Sequence, residues 1–168
     1  MRIVGIDCGS ERTGYGVLEA EGRRSRLICV GVIHAPPKYP FPERLRMIYR
    51  GLCEIFEQHS PEEVAVEDIF HGVNSKSALK LAQARGVALL CAAEAELDVA
   101  EYSPLEVKSS VVGYGRASKD QVQTMVCSLL SLREVPKPHD ATDALAVALC
   151  HAANLSSRAA YGRRAAVL

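Results

Sequence analysis

The 168-residue sequence has no tryptophan, only three phenylalanines and no long apolar run. The lack of tryptophan excludes no class of protein, but the other absences are informative. No segment approaches the ~20 apolar residues that a membrane-spanning helix needs, and the first residues lack the charged start, apolar stretch and cleavage site of a secretion signal. Internal repeats and low-complexity blocks are also missing. We therefore expect a cytoplasmic protein with no membrane contact, and a single domain at this length.

A further absence concerns cysteine pairs, because no Cys-x-x-Cys motif occurs. Six cysteines are spread along the chain, and four of them lie among apolar residues of predicted helices or strands. This distribution favours reduced cysteines in the core over disulfide bonds or a zinc site. The cysteines are Cys8, Cys29, Cys53, Cys91, Cys127 and Cys150.

Net charge is also absent: 20 basic and 20 acidic residues balance, which at first sight argues against a nucleic-acid partner. The balance changes if four acids are held around metal ions, because 20 basic residues then face only 16 acids elsewhere. Basic clusters occur in residues 23–26, 44–50, 76–85 and 158–164. Each cluster taken singly is more often a solvated face than a binding surface.

Apolar patterning predicts a run of strands followed by alternating helices and strands. The predicted strands are residues 1–7, 13–18, 26–33, 64–67 and 99–102. The predicted helices are residues 45–59, 77–97, 104–112, 118–130 and 139–154. This order indicates an α/β fold whose mixed five-stranded sheet joins an antiparallel three-strand meander to parallel strands, with helices on its flanks. We place the domain in residues 1–154 and expect residues 155–168 to form a basic, flexible tail.

Acidic residues stand at two strand ends and at one helix start. Asp7 follows the first predicted strand and Glu67 the fourth, and ligands in such sheets lie beyond the carboxyl ends of strands. Asp140 and Asp143 begin the last predicted helix three residues apart, so they share one face of its first turn. Four carboxylates in this arrangement suit Mg²⁺ or Mn²⁺, and they suit phosphodiester hydrolysis by two ions ~3.5–4 Å apart.

Each acid also has an ordinary structural explanation. Asp7 taken alone can be explained as an acid that begins a turn. Asp140 and Asp143 can be explained as a capping aspartate followed by an acid in the first helical turn. For that pair, the structural and the functional explanations have about equal weight. The recurrence of acids at three such places is what favours a metal site.

Beyond the acids, the chain carries several short motifs in a definite order. They are GIDCG (5–9), TGYGV (13–17), VE (66–67), NSKSALKL (74–81), QARG (83–86), VVGYGRASK (111–119), QV (121–122) and DATDALA (140–146), together with Phe70 and the pair at 107–108. In this combination the sequence resembles the RuvC family of Holliday junction resolvases. The resemblance covers about residues 1–153 and is highly specific.

This resemblance implies an RNase H-like fold and a homodimer that makes paired, symmetric nicks in four-way DNA junctions. It implies Mg²⁺ as the cofactor, with two ions per subunit and Mn²⁺ as a substitute. The implied products carry 5′-phosphate and 3′-hydroxyl ends. The implied setting is bacterial DNA recombination and repair, with the RuvA and RuvB branch-migration proteins as partners.

The resemblance also implies roles for individual residues. The implied metal ligands and catalytic acids are Asp7, Glu67, Asp140 and Asp143. Lys108 and Lys119 match positions near the scissile phosphate, with Lys119 counted as catalytic, and Phe70 matches an aromatic residue that inserts at the junction. The implied DNA contacts are Phe70, Asn74, Lys76, Lys80, Arg85, Lys108, Arg116 and Lys119.

Two positions depart from the family's pattern. Cys8 stands where the family usually has proline, which leaves the ligand Asp7 in place and predicts a looser turn. His139 precedes Asp140, and some relatives use a histidine of this helical turn as a ligand, although an exposed residue at the helix start is the simpler explanation. Phe70 and Lys119 also have ordinary explanations, as a loop aromatic on the core and a solvated first-turn lysine.

Other functions compete with junction cleavage. An Asp-x-Gly turn before a glycine-containing hairpin also occurs in the actin, Hsp70 and sugar-kinase superfamily, but that arrangement needs two related domains. A DNA-structure-binding module without catalysis would share the fold, although the presence of all four acids argues against it. Another RNase H-like nuclease, acting on RNA or on ordinary duplex, remains the third alternative.

The predicted helix over residues 77–97 carries apolar residues around most of its circumference. A helix that covers a core on one side only should keep a broad polar face. The alternative is a helix buried wholly within the monomer, which a single domain of this size could just accommodate. Because resolving a junction requires nicks in two symmetry-related strands, we predict instead that this helix lies at or beside the interface of a two-fold dimer. The small side chains along it, with Gly86 among them, would let two such helices approach closely.

Overall fold

The computed structural model of the chain describes residues 1–68 and 75–165. Its centre is one five-stranded sheet with the strand order β3-β2-β1-β4-β5. The strands are β1 (Arg2–Asp7), β2 (Arg12–Glu21), β3 (Arg24–His34), β4 (Glu63–Glu67) and β5 (Asp98–Tyr102). The helices are α1 (Phe41–His59), α2 (Ser75–Glu94), α3 (Pro104–Val112), α4 (Lys119–Leu129) and α5 (His139–Ala165).

The sheet is mixed, as the sequence predicted. Strand β2 pairs antiparallel with β1 and β3, and β4 pairs parallel with β1 and β5. Asp7 lies opposite Gly14 on β2, and Ile6 lies opposite Val66 on β4. Strands β1 and β4 therefore end side by side, and we call the end of the sheet that carries Asp7 and Glu67 the carboxylate end.

Helices cover both faces of the sheet because residues along each strand alternate between the faces. On one face, α3, α4 and α5 pack on buried residues such as Ile3 and Leu18. On the other face, α1 and α2 pack on Val4, Ile6 and Val64. Because the strands are packed between these two cores, the backbone that carries the side chains at the carboxylate end is held in place.

The last helix is longer than predicted. We expected it to end near Asn154, which is wrong, because α5 continues to Ala165. Residues 155–165 contain no proline and one glycine, and most are alanine, leucine or arginine, which favour helix. The sequence therefore carries no stop signal at the predicted boundary. The division of the chain into a domain and a flexible tail at residue 154 stays a prediction.

Other expectations are met within the described residues. All six cysteines are free, as predicted. Helix α2 ends at Glu94, slightly before the predicted end at Leu97, and Glu96 takes a left-handed conformation with φ of 55°. No helix in residues 1–68 and 75–165 is both long and apolar enough to cross a membrane.

Candidate active site

Two of the predicted site residues meet at the carboxylate end because β1 and β4 are parallel neighbours. Ile6 and Val66 are paired in the sheet, so the next residues, Asp7 and Glu67, leave the two strands side by side. Both side chains are partly buried. The sheet therefore brings together two acids that are 60 positions apart in the sequence.

Glycines bring the other two acids to the same place. A Cβ atom at Gly14 would lie 2.0 Å from the carbonyl oxygen of Asp140, and one at Gly5 would lie 2.2 Å from that of Ala144. Helix α5 therefore packs closer to β1 and β2 than any side chain on these glycines would allow. The first turn of α5, with Asp140 and Asp143, is placed beside Asp7.

Burial and crowding raise the pKa of two of these carboxyl groups. The pKa of Asp7 is raised from 3.8 to about 8, first by burial and then by the negative charges of Glu67, Asp143 and Asp140. The pKa of Glu67 is also raised, first by burial and then by the charge of Asp143. The four acids therefore form one electrostatically coupled cluster.

Two lysines partly compensate this negative charge. Lys119 Nζ donates a hydrogen bond of 2.7 Å to Asp143 Oδ2, and this contact raises the pKa of Lys119. Lys119 is the first residue of α4, a position fixed by the capping box of Ser118. Lys108 on α3 lies close enough for its charge to lower the pKa of Glu67. The structure thus places both predicted lysines beside the acids.

Arg12 is a third cation at the cluster, and sequence reasoning missed it. Its Nε lies 3.4 Å from Asp140 Oδ2, and more than half of its side chain is exposed. Arg12 begins β2, next to the glycine-rich turn after Asp7. No local motif marks it, because its contact with Asp140 depends on how α5 packs on the sheet.

The donor set of the cluster fits a hard divalent cation. It offers carboxylate oxygens whose burial and mutual repulsion leave negative charge to be compensated. The side chains are not yet spaced as ligands, since residues 1–68 and 75–165 contain no group of three or more His, Cys, Asp or Glu arranged to hold a metal ion. Asp140 and Asp143 are paired with Arg12 and Lys119 instead. An ion that used all four acids would have to replace these pairs.

A buried arginine anchors the turn after Asp7, and it too was missed. Arg44 on α1 is only 4% exposed. Its Nε donates a hydrogen bond of 3.0 Å to the Ala35 carbonyl, and a terminal nitrogen donates to the Ser10 carbonyl. A signal was present in the sequence, because Arg44 precedes Ile48 by four positions and so lies on the apolar face of the helix.

The same turn contains Cys8. Thr13 Oγ1 donates a hydrogen bond of 2.9 Å to the Gly9 carbonyl. A Cβ atom at Gly9 would lie 2.0 Å from the carbonyl oxygen of Arg12, so the turn accepts no side chain there. Burial, followed by the charge of Asp7, raises the pKa of Cys8 to about 12. Hydrogen bonds and close packing hold this turn, and the looser turn expected from Cys8 stays a prediction.

His139 pairs with a neighbouring helix. Its Nδ1 lies 2.8 Å from Nε2 of Gln123 on α4, and Gln123 is buried while His139 is exposed. The contact links the start of α5 to α4. It supports the simpler explanation of His139 as an exposed residue at the helix start.

A buried polar network fixes α5 on the parallel strands. His151 is 3% exposed, and its Nε2 lies 2.6 Å from Oε2 of Glu63 on β4. Its Nδ1 lies 2.7 Å from the Tyr102 hydroxyl on β5. Each ring nitrogen of His151 therefore has a hydrogen-bond partner. The network holds the helix whose first turn carries Asp140 and Asp143.

Most predicted DNA contacts in the described residues are exposed. Lys76, Lys80 and Arg116 have exposed side chains. The Lys80 ammonium lies 5.8 Å from the ring centroid of Phe41 at the start of α1. Lys76 and Lys80 belong to α2, and Arg116 belongs to the segment between α3 and α4.

Among the predicted DNA contacts, Arg85 is engaged in ion pairs within the protein. Its guanidinium pairs with Glu101 on β5 and lies 3.4 Å from Asp68, and its side chain is only 16% exposed. These ion pairs tie α2 to the sheet near the site. Phe70 and Asn74 lie outside the described residues.

A family model and similar known proteins identify the same family. A family model described as Crossover junction endodeoxyribonuclease RuvC matches residues 3–151. A protein of that name from Koribacter versatilis is 54% identical over 153 residues, which cover 90% of this chain and 92% of the relative. One of the same name from Dehalococcoides mccartyi is 52% identical over 151 residues, with coverage of 90% and 92%.

Solved structures agree with the sequence relatives. The RuvC of T. thermophilus in complex with a Holliday junction substrate is 36% identical, with a TM-score of 0.88 over 94% of this chain and 96% of that one. The yeast mitochondrial Holliday junction resolvase Ydc2, at 13% identity and a TM-score of 0.68, covers 93% and 83% and shares the fold alone. These likenesses confirm the predicted RNase H-like fold. The chain belongs to the RuvC family of crossover junction endodeoxyribonucleases.

Proposed function

We propose that the chain is a Holliday junction resolvase that nicks four-way DNA junctions in recombination and repair. The observation that carries this conclusion is the coupled carboxylate cluster at the carboxylate end of the sheet, in a chain of the RuvC family. The T. thermophilus relative at 36% identity is described in complex with a Holliday junction substrate. We also propose that the chain makes paired nicks and that the cut ends carry a 5′-phosphate and a 3′-hydroxyl.

The family consists of metal-dependent nucleases, and the acids of this chain are suited to a divalent metal ion. We assign the cofactor as Mg²⁺, two ions per subunit, with Mn²⁺ able to substitute. The residues that would hold it are Asp7, Glu67, Asp140 and Asp143. When bound, such ions supply Lewis acidity that makes water a nucleophile at neutral pH and stabilises charge on the leaving oxygen.

The lysines beside the cluster have a separate task. Lys119 is hydrogen-bonded to Asp143 and more than half exposed, so its ammonium can turn to a phosphate when DNA is bound. A cation at a helix start is unfavourable unless an anion is near, and here the anion is first Asp143 and then the DNA backbone. Lys108 adds positive charge on the Glu67 side. Both stabilise negative charge that develops on the phosphate during cleavage.

Exposed cations around the carboxylate end supply affinity for the DNA backbone. We assign Lys76, Lys80 and Arg116 to phosphate contacts that do not read sequence. Arg85 supports the site through Asp68 and Glu101 and contributes less to DNA affinity. The roles of Phe70 and Asn74 stay predictions.

Helix α2 presents a stripe that suits a two-fold dimer. The exposed residues of the stripe recur at three- and four-residue intervals, and the charged residues of the helix are not among them: Leu79, Ala82, Gln83, Gly86, Leu90 and Ala93. Leu79 is 65% exposed and Leu90 54%, and a Cβ atom at Gly86 would meet nothing within 4 Å. Pairing two such stripes would bury the leucines. It would also give one site for each of the two strands to be nicked.

Charge placed on this stripe tests the dimer. Leu90→Glu should lower the mass found by sedimentation equilibrium from about twice 18.2 kDa towards a single chain. Leu129→Glu on α4 is the matched control, because Leu129 is 49% exposed but lies outside the stripe. A wild-type chain that stays monomeric, free and on the junction, and still makes both nicks in one encounter would rule out the dimer.

Interaction with RuvA and RuvB belongs to the same proposal, as does a cytoplasmic location. Neither depends on the geometry of the cluster. A pull-down of the two branch-migration proteins on junction DNA would test the partners separately from cleavage.

The competing functions are separated by one experiment. Wild-type protein and Asp7→Asn are incubated with Mg²⁺ and either a mobile four-way junction, a linear duplex of the same sequence, or an RNA–DNA hybrid. A resolvase cuts only the junction, and Asp7→Asn binds it without cutting. Equal cutting of the duplex or hybrid would indicate another RNase H-like nuclease. Junction binding with no cutting by the wild type would indicate a non-catalytic module.

A further inference from the structure

Two aromatic rings lie together with cations in the segment between β3 and α1 and at the first residue of α1. Tyr39 is 39% exposed, and the Lys38 ammonium lies 5.1 Å from its ring centroid. Phe41 begins α1, with the Arg44 guanidinium 5.5 Å and the Lys80 ammonium 5.8 Å from its ring centroid. The activity proposed above uses neither ring.

This surface lies at the carboxylate end of the sheet. Strand β3 ends at His34, which is paired with Arg12 at the start of β2. The next residue, Ala35, donates its N–H to the Glu11 carbonyl at 2.8 Å, and Arg12 in turn contacts Asp140. The chain therefore leaves the sheet beside the turn that follows the first catalytic acid.

The rings are held in place before any partner binds. The segment and the start of α1 are rich in residues with a fixed φ angle: Pro36, Pro37, Pro40 and Pro42. The Tyr39 N–H also donates to the Pro36 carbonyl at 3.1 Å, which closes a turn. Arg44 is buried and bonded to Ala35, so the base of the segment is anchored. Little conformational freedom remains to be lost when a ligand stacks on the Tyr39 ring.

We propose that the surface formed by Lys38, Tyr39, Phe41 and Lys80 binds the DNA strand that enters the carboxylate end, with an unstacked base on the Tyr39 ring. Exposed aromatic rings interleaved with cations are the usual platform for single-stranded nucleic acid. Two cations already lie over the Phe41 ring and one over the Tyr39 ring, so Tyr39, which is 39% exposed, is the ring for the base. Lys38 and Lys80 then face the phosphates on either side.

An unstacked base is favoured over an ordinary duplex as the occupant. Inside a continuous duplex each base face is covered by its neighbours, and exposing one costs stacking energy. The branch point of a four-way junction interrupts the stack, so that cost is lowest there. This inference rests on the proposed function, since it supposes that junction DNA is brought to this end of the sheet.

The test is equilibrium binding in Ca²⁺, to three labelled DNAs of matched sequence: a four-way junction, a linear duplex and a single strand. Tyr39→Ala should weaken binding to the junction and the single strand by at least about fivefold and leave duplex binding unchanged. Tyr39→Phe keeps the ring and should restore wild-type affinity. Leu129→Ala, an exposed apolar residue at the far end of the sheet beside Gly22, is the matched control.

Each other outcome removes the inference. Tyr39→Ala with wild-type junction affinity would show that no base stacks on the ring, and an equal loss on junction and duplex would make the surface a duplex contact. A change in sedimentation mass for Tyr39→Ala would show that protein covers it instead. Failure of the proposed function is distinguishable, because the wild type itself would then show no preference for the junction over the duplex.

Discussion

Glu63 and Glu67 lie at the two ends of strand β4, and the groups that surround their carboxylates differ. Glu63 lies 2.6 Å from the buried His151 ring, which also hydrogen-bonds Tyr102. Glu67 lies among other carboxylates, and burial together with the charge of Asp143 raises its pKa. One strand thus carries a satisfied acid at its first residue and a crowded acid at its last.

This difference in surroundings distinguishes acids that stabilise the fold from acids whose charge is compensated only when a ligand binds. A buried acid with a hydrogen-bond partner contributes to folding, whereas a buried acid among like charges opposes it. Proteins keep such local conflicts mainly at functional sites. Under the proposed function, the carboxylate end is therefore the part of the molecule where stability is lower because its acids are placed for a metal ion and DNA.

The largest expected effect is loss of cleavage at the crowded end. Asp7→Asn, Asp140→Asn and Asp143→Asn should each slow single-turnover junction cleavage by roughly 10³-fold or more, because each removes a carboxylate that would hold a metal ion. Junction binding in Ca²⁺ should change little, since backbone contacts supply most affinity. A variant that still cuts at a near wild-type rate would exclude its residue from the site.

A smaller loss is expected for the lysine that pairs with this cluster. Lys119→Ala should slow single-turnover cleavage by roughly 10²-fold while weakening junction binding much less, because its charge acts on the phosphate during the reaction. Lys76→Ala serves as the contrast and should weaken binding with an unchanged rate at saturating protein. If Lys119→Ala behaved like Lys76→Ala, Lys119 would be only a backbone contact.

At the satisfied end the expected effect is on stability. His151→Ala leaves Glu63 and Tyr102 without their buried partner and should lower the free energy of unfolding by about 1–3 kcal/mol. Tyr102→Phe removes one hydrogen bond and should cost about 1 kcal/mol. Urea denaturation measures both. Unchanged stability in His151→Ala would mean that the network does not hold α5.

The smallest effect concerns pH in the absence of metal. Because the pKa of Asp7 is raised from 3.8 to about 8, the folded chain binds more protons than the unfolded chain between these values. Stability should therefore fall as pH rises through this range. In EDTA, the melting temperature of the wild type should drop by a few degrees relative to Asp7→Asn between pH 5 and pH 8.5. If the melting temperatures of the wild type and Asp7→Asn changed equally with pH, the neighbouring charges would not raise the pKa of Asp7 in solution.

The sequence allowed prediction of those parts of the site that follow from local position. Asp7 and Glu67 could be found because acids at the ends of apolar strands are unusual, and Asp140 with Asp143 because three-residue spacing puts them on one helical face. The mixed sheet, an antiparallel meander joined to parallel strands, also followed from the order of elements. The placement of the four acids favoured a metal site, the family resemblance implied the same role for each of them, and their assignment as metal ligands stays a proposal.

Contacts that depend on long-range packing could not be predicted in this way. Arg12 reaches Asp140 only because α5 packs on glycines of β1 and β2. His151 meets Glu63 across 88 positions of sequence, so no local pattern marks the pair. The end of α5 was misplaced for a different reason, since nothing in residues 155–165 stops a helix.

The comparison between the two ends of β4 is tested most directly by one pair of matched variants. Glu67→Gln and Glu63→Gln make the same chemical change on the same strand, and both are assayed for single-turnover cleavage of a four-way junction in Mg²⁺ at saturating protein. Glu67→Gln should not cleave, although it folds and binds the junction. Glu63→Gln should cleave at close to the wild-type rate once it is folded. Cleavage by Glu67→Gln, or equal loss in both variants, would contradict the assignment of catalysis to the carboxylate end.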